Sequence, residues 1–326
     1  MLAVLSLGAC GSDEDGGGEG AASLAEPTEA TLVLDFVPNA VHTGIYCALE
    51  RGYYERANVE LEIVEPTSTS DTLKLIDQGR ASFGLADAID VGQQIGRGLD
   101  ATAIMAVVQR PLGGVITLRD SGIRSPRELQ GTTVGVTGVP SDEAVLDTVI
   151  SADGGDPSAV DVVTIGFNTI IALKSRRVDA ITGYPPADAT QIELQGPSTT
   201  SFRLDEWGGP SYPGLVVFST RTAIDRNPEL MQAFVDATAR GYEDTLDDPG
   251  HCLDALLQRV PEIDAQLARA QLDAYLPLFE AGAGGYGNLD RAALAGLLRF
   301  LRETSLVEEP ISPRRYATNE FVEGGN

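Results

Sequence analysis

From residue 31 the apolar positions change period repeatedly. Residues 31–36 are β-branched and apolar and predict a strand. Residues 40–51 predict a helix stopped by Gly52. Residues 59–64 alternate as a strand, residues 69–77 predict a helix ended by Gly79, and residues 82–85 and 101–108 predict short buried strands. A second unit of the same kind follows. Ser125 and Pro126 have the types of an N-cap and first helical residue. Strands are predicted at 133–136, 162–165 and 179–182, with helices at 141–150 and 170–175. After a strand at 215–219 the pattern turns helical. Leu230, Phe234, Thr238, Tyr242 and Leu246 recur every four residues, and Leu294, Leu297, Leu298 and Leu301 form a second stripe. Both stripes suit core packing.

Strands alternating with helices indicate an α/β fold with parallel sheets and crossover helices. Two such units in series, closed by helices, predict a two-lobed clamp whose ligand sits at the carboxyl ends of the strands, between the lobes. The expected division is a truncated signal followed by a flexible spacer at 1–29, one lobe from 30–115 and 214–326, and a second lobe from 116–213. Hinge crossings are expected near 113–118 and 212–215, where glycines can absorb the backbone change of closure.

A chain of 326 residues that is 43% hydrophobic can bury cores of this size. A net charge of −25 repels phosphate backbones, so no nucleic-acid partner is expected. The three cysteines and two histidines have no metal-ligand spacing, so no metal is expected, and the two lysines, Lys74 and Lys174, leave little scope for Schiff-base chemistry. Cys47 and Cys252 can pair if the chain works outside the cytoplasm, although Cys47 equally suits a buried helix face. Leu7-Gly8-Ala9-Cys10 follows a short apolar run and resembles the bacterial lipoprotein processing motif. That resemblance makes Cys10 the lipidated residue and residues 11–29, rich in Gly, Asp and Glu, a flexible spacer.

Leu34-Asp35-Phe36-Val37-Pro38-Asn39-Ala40-Val41-His42-Thr43-Gly44-Ile45-Tyr46 is the most informative stretch. A strand end runs straight into a helix start, and Asn39, His42 and Tyr46 share one helical face. An amide, an imidazole and a phenol there suit a small polar ligand; they equally suit local hydrogen bonds.

The stretch resembles the solute-binding proteins related to thiamine-pyrimidine synthase, a family that includes binders of formylaminopyrimidine thiamine precursors. Gly52-Tyr53-Tyr54, Gly84-Leu85-Ala86-Asp87, Gln109-Arg110-Pro111 and Arg240-Gly241-Tyr242 continue the likeness over nearly the whole chain after the spacer. The resemblance implies a type II periplasmic-binding-protein-like clamp with a mainly helical C-terminal region. By implication Phe36, Asn39, His42 and Tyr46 line the first lobe's side of the cleft, Phe36 standing where a tryptophan is commoner. Asp87 would bind an amino or ring N–H group. In the second lobe Ser141 and the backbone N–H groups beside it would hold an acceptor. Tyr184 would be a further contact, with Asp188 taking an acidic role, but Tyr184-Pro185-Pro186-Ala187-Asp188 departs from the family's Gly-x-Tyr-Trp-Asn pattern. Trp207 and Tyr212 are additional candidate walls.

The implied function is the extracytoplasmic component of an ABC importer: a monomer, lipid-anchored, without a cofactor, working with a transporter permease. Thiamine pyrimidine precursors are the first expected ligands, riboflavin or another heteroaromatic the next, and a sulfonate, nitrate or taurine-like anion the third. Arg110 is the one arginine near the expected cleft for such an anion. An enzyme of the synthase type would need a pyridoxal-bearing lysine, a substrate histidine and a cysteine-rich iron motif; no lysine lies near His42 and no cysteine cluster exists. The expectation is therefore a binder.

Overall fold

The computed structural model describes residues 22–67, 71–280, 282 and 284–322. Leu7 to Cys10, on which the lipoprotein expectation rests, lie outside the described residues. The first strand, β1 (Thr28–Val33), begins and ends three residues earlier than expected. It pairs in parallel along its whole length with β2 (Val59–Val64), from Thr28 opposite Val59 to Val33 opposite Val64. The expected spacer boundary at 29 therefore falls inside a strand, and even Leu24 donates its N–H to Ala57 O. Between the two strands come a 3-10 turn at Ala40–His42, α1 (Thr43–Glu50) and α2 (Tyr53–Arg56). Gly52 lies between the helices at φ 68°, a conformation that favours glycine.

The chain continues through α3 (Asp71–Asp77), β3 (Phe83–Asp87), α4 (Ala88–Gly96) and β4 (Thr102–Val108). Next comes β5 (Gly114–Leu118), all five residues buried. It sits in the second sheet between the strands Ala180–Gly183 and Thr199–Arg203. This corrects two expectations. The first lobe does not reach 115, and residues 114–118 are a strand rather than a hinge. The chain crosses between the sheets at 109–113 and returns at 204–214. The apolar run Val115-Ile116-Thr117-Leu118 requires burial, whereas the glycines beside it had suggested freedom.

The second lobe holds β6 (Thr133–Val136), α5 (Pro140–Ala152), β7 (Asp161–Thr164), α6 (Thr169–Lys174), β8 (Ala180–Gly183), α7 (Pro185–Leu194) and β9 (Thr199–Arg203). Ser125 and Pro126 open only a single 3-10 turn at Pro126–Leu129. After β10 (Leu215–Ser219) the chain is helical: α8 (Arg221–Arg226), α9 (Pro228–Asp247), α10 (Pro249–Arg259), α11 (Ala265–Phe279), α12 (Arg291–Glu303) and α13 (Pro313–Tyr316).

Each sheet has five strands among the described residues, in the orders β2-β1-β3-β10-β4 and β7-β6-β8-β5-β9. Strand β10 runs antiparallel to β3 and β4, and β5 antiparallel to its neighbours, so both sheets are mixed. One core packs α1, α9 and α11 on the first sheet. A second core is shared: Ile89, Ala103 and Phe218 of the first lobe join Val134, Val145 and Phe202 of the second, with Leu294, Leu297 and Leu301 of α12. The two leucine-spaced stripes read from the sequence are buried in these cores apart from Leu246 and Leu298, which are partly covered. Helices α1 and α9 cross so closely that a Cβ on Gly44 would lie 2.3 Å from the Tyr242 ring. A disulfide joins Cys47 on α1 to Cys252 on α10. No helix among the described residues is long and apolar enough to cross a membrane.

Candidate functional site

A cleft of about 1280 Å³ opens between the lobes. Its walls come from the segments that leave the carboxyl ends of β1, β3, β6 and β8, as expected for ligands of α/β sheets, and from α11 through Gln271 and Tyr275. Phe36, Asn39, Asp87, Ser141, Tyr184 and Asp188 all line it. His42 and Tyr46 do not, against expectation.

His42 is 0% exposed. Its Nδ1 accepts the Asn39 backbone N–H at 3.1 Å, closing a capping box in which the Asn39 side chain accepts from Val41 N–H. An Nδ1 that accepts leaves the proton on Nε2, which donates to Asp35 Oδ1 at 2.8 Å. The imidazole therefore presents a carboxylate to the cleft and stays behind it. Asn39 lines the wall, but its own polar atoms are used locally, Nδ2 donating to Val37 O. Tyr46 is packed in the first lobe's core, where burial and the charge of Glu65 push its phenol up to about 12. The 3-10 turn shifts the helical phase, so that Val41 instead of His42 faces the cleft.

Asp87 caps α4, accepting Ile89 N–H at 2.8 Å, and accepts the Tyr184 hydroxyl from the opposite lobe at 3.2 Å. One turn along α4, Asp90 faces the side chain and backbone of Ser141 at the start of α5, whose dipoles partly offset the cost of its burial. Asp90 Oδ1 is buried and finds no partner among the described residues. Burial pushes Asp90 up to about 7, and burial together with the charge of Asp90 raises Asp87 well above the ordinary carboxylate range.

The segment before α5 does not offer its N–H groups to a ligand. Thr137 N–H, Gly138 N–H and the Thr137 hydroxyl all donate to Asp142 Oδ2, so the chain's own carboxylate fills this nest. Pro185 and Pro186 do not disrupt the following region; they occupy the first turn of α7, where no amide partner is needed. Asp188 reaches back to accept Tyr184 N–H at 2.7 Å, and burial pushes it up to about 6. Trp207 packs edge-on against Phe202, and Tyr212 is fully buried; neither lines the cleft. Arg110 pairs with Asp205 where the two crossings meet, at 2.5 Å, and is likewise outside it. Lys174, exposed and bonded to Gln195, is the sole cation among the described lining residues.

Asp35, Asp90, Asp142, Gln271 and Tyr275 were not singled out from the sequence. Asp35 precedes Phe36 within the recognised stretch, and Asp90 stands three residues after Asp87, on one helical face with it. Those were usable signals. Gln271 and Tyr275 had none, because α11 reaches the cleft only through tertiary packing. Among the described residues no group of three or more His, Cys, Asp or Glu side chains is arranged to hold a metal.

The family model described as NMT1/THI5 like matches residues 39–252, from the capping Asn39 to the disulfide Cys252. The chain belongs to the NMT1/THI5-like family. Within this family it is 30% identical to the formylaminopyrimidine-binding protein of Halalkalibacterium halodurans, over 95% of this chain and 94% of that one. It is 26% identical to a 4-amino-5-hydroxymethyl-2-methylpyrimidine phosphate synthase of Legionella pneumophila, over 90% and 92% of the two chains. The NMT1/THI5-like chain also shares its fold with the periplasmic aliphatic sulphonate binding protein SsuA of Escherichia coli, with a TM-score of 0.72 at 15% identity over 89% and 92% of the chains. The α/β clamp expected from the sequence is therefore the fold observed.

Proposed function

We propose that this NMT1/THI5-like protein is the extracytoplasmic solute-binding component of an ABC importer, and that it captures a small heteroaromatic rich in N–H donors, a thiamine pyrimidine precursor before others. The observation that carries this reading is the lining of the cleft. Asp35, Asp87, Asp90, Asp142 and Asp188 present acceptors, while Phe36, Tyr184 and Tyr275 offer ring faces or edges. A sulfonate or nitrate would need donors, but Asp142 fills the N–H nest and Arg110 is paired with Asp205. A synthase would bring a histidine and a lysine to its substrate. His42 has both ring nitrogens engaged and no exposure, which supports capture over chemistry. The Cys47–Cys252 disulfide suits an oxidising compartment. In this reading Cys10 carries a lipid, the protein works as a monomer with a permease, and closure hinges on residues 109–113 and 204–214. Loss of membrane association in Cys10→Ser cells would support the anchor, and unchanged association would refute it.

Calorimetric titration tests the ligand class. The formylaminopyrimidine should bind with micromolar or tighter affinity, and alkanesulfonates should give no heat. Binding of the sulfonate but not the pyrimidine would overturn the reading.

A further inference from the structure

We propose that the end of the cleft around Asp87, Asp90 and Thr182 is a subsite for a protonated amine, so that the preferred ligand is an organic cation. This rests on the reading of the cleft as a capture site and adds the charge of what is captured.

The two carboxylates sit one turn apart on α4 and are drawn together with the second lobe. Asp90 meets Ser141 at the start of α5, helix α5 packs on β8, and β8 carries Thr182. Two residues further on, Tyr184 donates to Asp87. Thr182 lines the cleft at 1% exposure, and its Oγ1 has no hydrogen-bond partner among the described residues; nor does the buried Asp90 Oδ1. Buried polar atoms are rarely left in this state, because each forfeits its bonds to water without replacement. Both orphaned atoms can accept, and Asp87 retains lone pairs beyond the two bonds it already makes. An ammonium donates three N–H bonds and carries the counter-charge that this end of the cleft lacks. A neutral N–H donor satisfies one acceptor and brings no counter-charge to these carboxylates. Lys174 supplies no such charge, since it is exposed and bonded to Gln195. A metal ion is a poorer occupant, given that no metal-ligating group forms among the described residues.

The test compares two ligands with the same ring and different charge: a 5-aminomethyl pyrimidine, protonated at neutral pH, and its neutral N-formyl derivative. Both are titrated into the full protein at pH 7.5 by calorimetry. The amine should bind about tenfold more tightly, the scale of one charge-assisted hydrogen bond over a neutral one. Asp90→Asn should collapse that selectivity ratio, because it removes the charge and keeps the shape. Thr182→Val, which deletes only the orphaned hydroxyl, should lower the ratio several-fold and serves if Asp90→Asn fails to fold. Equal affinities in the natural protein, or a ratio unmoved by Thr182→Val, would overturn the amine subsite and leave the capture function standing. Failure of both pyrimidines to bind would overturn both.

Discussion

At the scale of single residues, the unit that matters first is Asn39, His42 and Asp35. A backbone N–H fixes the imidazole tautomer, and the imidazole N–H then fixes the carboxylate that faces the cleft. His42→Ala should weaken pyrimidine binding by about 1–2 kcal/mol although the ring touches no ligand, because Asp35 loses the imidazole N–H that holds it. Asp35→Asn should cost at least as much, and calorimetry on both variants checks the order. Asn39→Ala should show mainly as lost stability, about 1 kcal/mol by denaturant unfolding, since its amide is spent on the cap. The motif was legible at this scale, and the direction of its side chains was not. Spacing put His42 on a face, but the direction it points depended on a 3-10 turn that replaces the first turn of an α-helix.

At the scale of elements, two prolines and two glycines illustrate how local chemistry is reinterpreted by packing. Pro185 and Pro186 read as a disrupted loop in isolation, yet proline is well suited to a helical first turn, and α7 begins there. Gly44 and Gly241 lie where α1 and α9 touch, a Cβ on Gly241 falling 2.1 Å from Gly44 O. Gly44→Ala should therefore destabilise the fold by about 1–3 kcal/mol through overpacking, the opposite of the gain that alanine brings to an exposed helix. Thermal melting of the variant decides the sign. The Cys47–Cys252 bridge ties α1 to α10 across a sequence separation of 205 residues, so reduction should cost about 2–5 kcal/mol in urea unfolding. The strand and helix positions were largely readable because burial imposes its period on the chain. Strand β5 was misread because glycine marks both hinges and strand ends.

At the scale of the whole molecule, charge governs behaviour. Asp87, Asp90 and Asp188 hold their protons above the ordinary carboxylate range through burial, with Asp142 adding repulsion at Asp90 and Asp188. The folded protein thus binds more protons than the unfolded chain between pH 4 and about 7, and stability falls as pH rises through that window. Asp153 and Asp205, shifted downward, are ionised in both states by pH 5 and add no slope above it. The ligand-free protein should be less stable at pH 7.5 than at pH 5 by on the order of 2 kcal/mol from Asp90 alone. Asp90→Asn should flatten the profile, as urea unfolding across this range would show.

The sequence by itself determined the α/β class, the pairing of strands with helices and the family, because hydrophobic period and a thirteen-residue motif are local properties of the chain. Tertiary structure alone decided that His42 stands behind the cleft, that Asp142 closes the nest beside Ser141, and that α11 supplies Gln271 and Tyr275. The same holds for the acidity of the cleft. Its carboxylates are scattered from residue 35 to residue 188 among many solvated ones, and only burial in one shared space makes them a recognition surface for a donor-rich ligand.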